Sequence, residues 1–212
     1  MEKFKFKKII ILSPHTDDGE LGCGASISKF AERGSEIFEA IFSVAAFAGG
    51  KEKTKEETAE EAIKAASIIG IKDKNIRQFD YRVRYFGEMR QQILDDMIKL
   101  KNEIKPDAVF LPALSDFHQD HEVISREGVR AFKHSIILGY EEPWNQLKSG
   151  VNFFVRINES QLQKKILAVD QYASQNKRKF IDGEKIKSLA VVRGLQAGTD
   201  FAEAFEGVRF FC

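Results

Sequence analysis

Four histidines occur in this chain of 212 residues, and three of them stand close to aspartates. His15 opens the run His15-Thr16-Asp17-Asp18-Gly19-Glu20, directly behind the apolar residues 9–12. His118-Gln119-Asp120-His121 follows a second apolar run, residues 107–112, after a short loop. Zinc favours imidazole nitrogen and carboxylate oxygen, and catalytic zinc sites combine three protein ligands with one open position. His15, Asp18 and His121 supply two nitrogens and one oxygen. Asp17, beside Asp18 but pointing elsewhere, is placed to act as a general base toward water. His118, one helical turn before His121, stays off the metal on this reading. If protonated, it stabilises a tetrahedral oxyanion or protonates a leaving amine.

Each half of this set has an ordinary reading by itself. Two aspartates at a helix start are common caps, and a lone histidine is more often a surface or core residue than a ligand. What favours a shared site is the pattern of elements that carries both halves. Apolar runs alternate with helical periodicity, as in a parallel α/β sheet. Strands are expected at 8–13, 36–44, 76–81, 107–112, 136–140 and 152–157, with a closing strand at 208–211. Helices are expected at 20–33, 55–69, 87–104, 121–134, 159–174 and 184–195. The fold class this implies is a single α/β domain over 1–212, Rossmann-like, with a mostly parallel sheet and helices on both faces. In the strand order 3-2-1-4-5 the first and fourth strands are neighbours, and ligands bind in the crevice at their C-terminal ends. The two histidine loops then face each other.

Composition removes several alternatives. Lys and Arg number 33 against 32 Asp and Glu, a formal charge of +1, so no excess of positive charge points to nucleic acid. The basic start, residues 1–8, precedes an apolar run too short for a signal peptide, and no stretch reaches the length of a membrane span. Cys23 and Cys212 read as free thiols, and the chain as a cytoplasmic protein. Gly22-x-Gly24 is a poor match to a dinucleotide fingerprint, since the third glycine position falls on Ile27. Phe47, Tyr85, Phe86 and Trp144 sit in loops where a ring can stack on a sugar. Arg82 and Arg84, after the third strand, suit a phosphate or carboxylate on a substrate.

The chain resembles the LmbE-like (PIG-L) zinc-dependent sugar de-N-acetylases. The resemblance rests on His15-Thr16-Asp17-Asp18, with Thr16 where the family carries proline, and on His118-Gln119-Asp120-His121. It extends through residues 20–24, residues 65–70, Tyr172-Ala173-Ser174-Gln175, Arg193-Gly194 and Ala202-Glu203-Ala204-Phe205. It implies His15, Asp18 and His121 as metal ligands, Asp17 as general base, His118 as transition-state stabiliser, and Arg193 as a substrate contact. The implied cofactor is Zn2+, with another divalent ion compatible by ligand softness. The implied partner is a small-molecule N-acetylated sugar or glycoconjugate, with no nucleic acid and no membrane span, and homo-oligomerisation left open. Two other readings compete: an amidase on a mycothiol- or bacillithiol-type conjugate, and a non-catalytic Rossmann-like binding domain.

Overall fold

The structure is a computed structural model that describes residues 5–44, 54–172 and 182–211. Phe47, Cys212 and the Ala173-Ser174-Gln175 part of the late motif lie outside the described residues. Seven strands form one sheet in the order β3-β2-β1-β4-β5-β7-β6. Its parallel part comprises β1 (Lys8–Ser13), β2 (Glu36–Ile41), β3 (Ile76–Gln78), β4 (Ala108–Pro112) and β5 (Ile136–Tyr140). The antiparallel end consists of β6 (Phe153–Ile157) and β7 (Phe201–Arg209), with β7 lying between β5 and β6. The sheet is mostly parallel with both faces covered, as the alternating pattern implies.

β1 shows why it is central. Ile9 and Ile11 point into one core and Ile10 and Leu12 into the other, all of them fully buried. Burying each such side chain contributes roughly 1.5–3 kcal/mol. Helices α1 (Asp18–Glu32), α2 (Lys55–Ile68), α5 (Glu159–Val169) and α6 (Gly183–Ala197) close the first core. Helices α3 (Arg90–Ile104) and α4 (Gln119–Ala131) close the second, through Ile93, Leu94, Met97 and Ile124.

The expected closing strand begins seven residues earlier than periodicity suggested, at Phe201 rather than Val208, and runs to Arg209. Ala202, Glu203 and Ala204 are poor strand formers. Pairing with strands on both sides overrides that weak local preference. Gly198, left-handed at φ 64°, ends α6 and turns the chain into β7. The strand expected over residues 76–81 shrinks to three residues, and the helix expected from residue 87 starts at Arg90. The segment between them is a loop tied at Arg84 to Asp120 and Gln119.

α1 sits unusually close to the sheet. A methyl group on Gly22 would stand 2.2 Å from the Tyr140 ring, which is fully buried and donates its hydroxyl to Leu12 O at 3.0 Å. The ring therefore has nowhere to swing. Gly22→Ala is expected to destabilise the protein by about 1–3 kcal/mol through overpacking, read as a lower urea midpoint. An unchanged midpoint would mean that α1 does not need this close approach.

Candidate active site

The pairing of β1 with β4, Ile9 opposite Ala108 through Ile11 opposite Phe110, brings the two histidine loops together at the C-terminal edge of the sheet. His15 follows β1 and Asp18 is the first residue of α1. His118 caps α4, its Nδ1 accepting the Asp120 N–H at 3.3 Å, and His121 lies in the first turn. The expected ligand set does converge: one donor atom each from His15, Asp18 and His121 lie within 4.8 Å of one another.

Asp18 Oδ2 is the hub. It stands 3.2 Å from His15 Nδ1 and 3.3 Å from His121 Nε2, and it accepts the His15 backbone N–H at 2.8 Å. The outward nitrogens meet carboxylates as well. His15 Nε2 lies 3.1 Å from Asp120 Oδ2, and His121 Nδ1 lies 2.8 Å from Asp116 Oδ2. A carboxylate behind an imidazole fixes its tautomer and ring plane and raises its basicity as a ligand.

These contacts set the protonation states. Burial pulls the His15 pKa down, but the Asp18 charge and hydrogen bonds to Asp120 and Asp18 outweigh it and lift the value to about 9. His121 follows the same balance, burial opposed by Asp18, Glu142 and Asp116, and ends well above the ordinary histidine value. Burial acts against the Asp18 charge, yet His121 and His15 hold that carboxyl well below the usual range. Two imidazole protons thus occupy the space between Asp18 and its neighbours when no metal is bound. His118 differs. Burial and the adjacent His121 and His15 charges lower its pKa. It is therefore neutral near pH 7 rather than cationic, and because Nδ1 accepts a backbone N–H, its proton sits on Nε2.

Asp17 is buried at the helix start beside this cluster, where its carboxyl makes no side-chain cap bond. Its backbone carbonyl accepts the Leu21 N–H at 3.0 Å. The turn is also supported from behind. Tyr172 donates its hydroxyl to Thr16 O and, at 3.1 Å, to Glu20 Oε2, while Ser13 Oγ donates to Glu39 Oε1 at 2.8 Å beneath Gly19.

Three contributors escape a sequence reading centred on histidines. Asp116 and Asp120 back the two imidazoles, and Glu142 places Oε2 4.0 Å from His121 Nδ1. Glu142 is buried; burial, then the Asp18 charge, raises its pKa well above the usual carboxylate value despite the nearby His121. A signal did exist. Glu141-Glu142 follows the buried β5 just as Asp17-Asp18 follows the buried β1.

The three arginines divide. Arg82 and Arg84 line a cleft of about 530 Å3 together with Val83, Tyr85 and Gln119, next to the histidine cluster. Arg193 is not brought to that side. Its guanidinium is committed to Glu141, with Nε to Oε1 at 2.8 Å and Nη2 to Oε2 at 2.6 Å, at the edge of a separate cavity of about 330 Å3. Trp144 lines that second cavity, and Phe86 is fully buried and so is no stacking platform for a sugar.

Known proteins resemble this chain in sequence and in fold. The Escherichia coli protein described as "Uncharacterized deacetylase YaiS" is 29% identical over 178 residues, 80% of this chain and 92% of that protein. The structure of N,N'-diacetylchitobiose deacetylase from Pyrococcus horikoshii superposes with a TM-score of 0.78 at 21% identity, covering 94% of this chain and 83% of that one. The 4-carboxy-2-hydroxymuconate hydratase GalB from Pseudomonas putida superposes with a TM-score of 0.79 at 20% identity, over 97% and 98% of the two chains. The fold therefore hosts more than one reaction, and the side chains must decide which. The family described as "PIG-L: GlcNAc-PI de-N-acetylase" matches residues 10–132, the stretch that carries both histidine loops, and the chain belongs to that family of de-N-acetylases.

Proposed function

We propose that this chain hydrolyses the N-acetyl group of an amino-sugar substrate, releasing acetate and a free amine, with a divalent metal ion held by His15, Asp18 and His121. The observation that carries this reading is the convergence of two imidazole nitrogens and one carboxylate oxygen within 4.8 Å, with Asp17 adjacent in sequence. The donor set fits zinc by ligand type, and the carboxylates Asp120 and Asp116 behind the two imidazoles fit it further. A bound divalent ion supplies Lewis acidity, for the amide carbonyl and for the attacking water.

The remaining work falls to side chains. Asp17 accepts a proton from the water that attacks the acetyl carbonyl. The amide carbon becomes tetrahedral, and its oxygen gains negative charge. His118, neutral with its proton on Nε2, donates a hydrogen bond to that oxygen, so stabilisation needs no imidazolium. When the C–N bond breaks, the proton held by Asp17 goes to the departing amine. Arg82 and Arg84 contact the substrate beyond the sugar ring, and Arg193 reaches it only from the cavity beside Glu141.

Replacing Asp17 by asparagine is expected to lower kcat by about a hundredfold or more, the usual weight of a general base, while metal content stays unchanged. Mass-spectrometric loss of acetyl from a panel of N-acetylated sugars, with and without chelator, reads the outcome. Full turnover by the Asp17→Asn protein would remove the base from this scheme.

Protonation gives a second test. His15, at about 9, and His121, well above its ordinary value, must each lose a proton before a metal can bind. Affinity should therefore rise with pH through the neutral range, His15 giving up its proton near 9, and level off only once His121 has titrated as well. The sign reverses for the metal-free fold. His15 contributes stability that is complete below its unfolded value and is lost as pH rises toward 9. Calorimetry in buffers of different ionisation enthalpy should register proton release on binding at pH 7, and its absence would contradict the protonated pair.

A further inference from the structure

We propose that His121 serves two metal ions. Its Nδ1 edge, together with the carboxylates of Asp116 and Glu142, forms a second divalent-cation site that shares the imidazole ring with the first. The sharing rests on the ion assigned above to His15, Asp18 and His121; the second site itself does not.

The two edges of the ring face different carboxylates. Nε2 lies 3.3 Å from Asp18 Oδ2, on the side of the first ion. Nδ1 lies 2.8 Å from Asp116 Oδ2 and 4.0 Å from Glu142 Oε2. One donor atom each from Asp116, His121 and Glu142 lie within 4.8 Å of one another, the same bound that the first ligand set meets. The three residues are 4%, 2% and 2% exposed. One imidazole nitrogen and two carboxylate oxygens are a donor set that zinc and copper accept. They come from three separate supports: the loop after β4, the first turn of α4 and the loop after β5.

Glu142 is the residue that an orienting role leaves unexplained. One carboxylate suffices to fix an imidazole, and His15 has one, Asp120, at its outer nitrogen. His121 already has Asp116. Glu142 adds a second carboxyl too far away for a hydrogen bond, and its Oε1 is buried without a partner. Burying such an oxygen is costly unless something uses it. Both carboxyls are held in place. Asp116 Oδ1 accepts the His118 backbone N–H at 2.8 Å, which leaves Oδ2 to the ring. Asn145 donates Nδ2 to Glu142 Oε2 at 3.2 Å, and its carbonyl accepts the Phe117 N–H at 3.0 Å, tying the two loops together. Among the described residues a third group of candidate ligands, His15, His118 and Asp120, lacks this spare capacity. Asp120 Oδ2 is divided between His15 Nε2 and the Arg84 N–H, and Oδ1 takes the Phe86 N–H at 3.4 Å.

The first site has two imidazoles and fills first. Loading the second sends the remaining ring proton of His121 to solvent and leaves an imidazolate bridge between the ions. The charges then match, with two divalent ions facing the carboxylates of Asp18, Asp116 and Glu142 and the negative ring.

The test is titration of the metal-free protein with zinc, followed by calorimetry and by metal content after gel filtration, beside a copper(II) titration followed by electron paramagnetic resonance. Zinc should bind in two equivalents. Glu142→Gln, which keeps the shape and removes the charge, should weaken the second equivalent about tenfold or more and spare the first. One equivalent of copper should give the spectrum of an isolated ion. A second should make that signal fall rather than double, because an imidazolate bridge couples the two spins. The copper measurement needs no variant, so it decides the matter even where Glu142→Gln does not fold. Saturation at one equivalent, a second equivalent that Glu142→Gln leaves unchanged, or a copper signal that doubles overturns the proposal. Acetyl release from N-acetylated sugars with one equivalent of zinc separates the two readings. Two coupled ions without release from any sugar leave the second site standing and retire the deacetylase reading.

Discussion

Three backbone pairings, Ile9 with Ala108, Ile10 with Val109 and Ile11 with Phe110, place side by side two loops whose residues His15 and Asp120 are 105 apart in sequence. That register depends on β1 being buried on both faces, since a strand that feeds two cores has little freedom to slip. Once β1 and β4 are neighbours, the short turn into α1 and the cap of α4 need only small side chains and correct rotamers to converge. The close seat of α1 over Tyr140 completes the arrangement. It fixes the height of Asp18 above the sheet, and with it the distance to His121.

Electrostatics explain why such a cluster is tolerable in a stable protein. Asp17, Asp18, Asp116, Asp120 and Glu142 gather around three histidines, and all five are almost wholly buried. Buried charge is costly unless paired. In the metal-free state the pairing is done by protons on His15 and His121, while burial, then the Asp18 charge, pushes the Glu142 pKa well above the usual carboxylate value. On the proposed reading a divalent ion replaces those two protons. The same carboxylates that make the histidines basic then orient them as ligands. Asp120 adds a connection outward, because its carboxylate holds both His15 and the Arg84 backbone.

Much of this was legible in the sequence, and the gaps have physical causes. The first five strands are legible as alternating apolar runs, which report burial directly, and their order 3-2-1-4-5 is the common doubly wound arrangement that the sequence reading adopts. The His15 and His118 loops stood out because ionisable residues directly after a buried strand are poor core material. β7 was placed late because Ala202-Glu203-Ala204 is locally helix-like, and only pairing on both sides makes it a strand. Asp116 and Asp120 lie in the His118 loop itself, but which imidazole each one backs follows from the β1–β4 pairing and from loop rotamers, which residue spacing does not report. Whether His118 carries a proton depends on its neighbours, which the sequence does not place. Burial, and then the two other histidines within 5.2 Å, ring to ring, lower its pKa. Arg193, which the family resemblance suggests as a substrate contact, pairs with Glu141 through both sides of its fork, a partner that residue spacing does not reveal.

The central claim is that His15, Asp18 and His121 together hold one divalent ion. X-ray absorption at the zinc K-edge, on protein loaded with one equivalent of zinc, tests it most directly. The account predicts a first shell of nitrogen and oxygen only, with outer-shell scattering from two imidazoles that falls to one in His121→Ala, if zinc is retained at all. Sulfur in the first shell, or an unchanged spectrum in that variant, would contradict it.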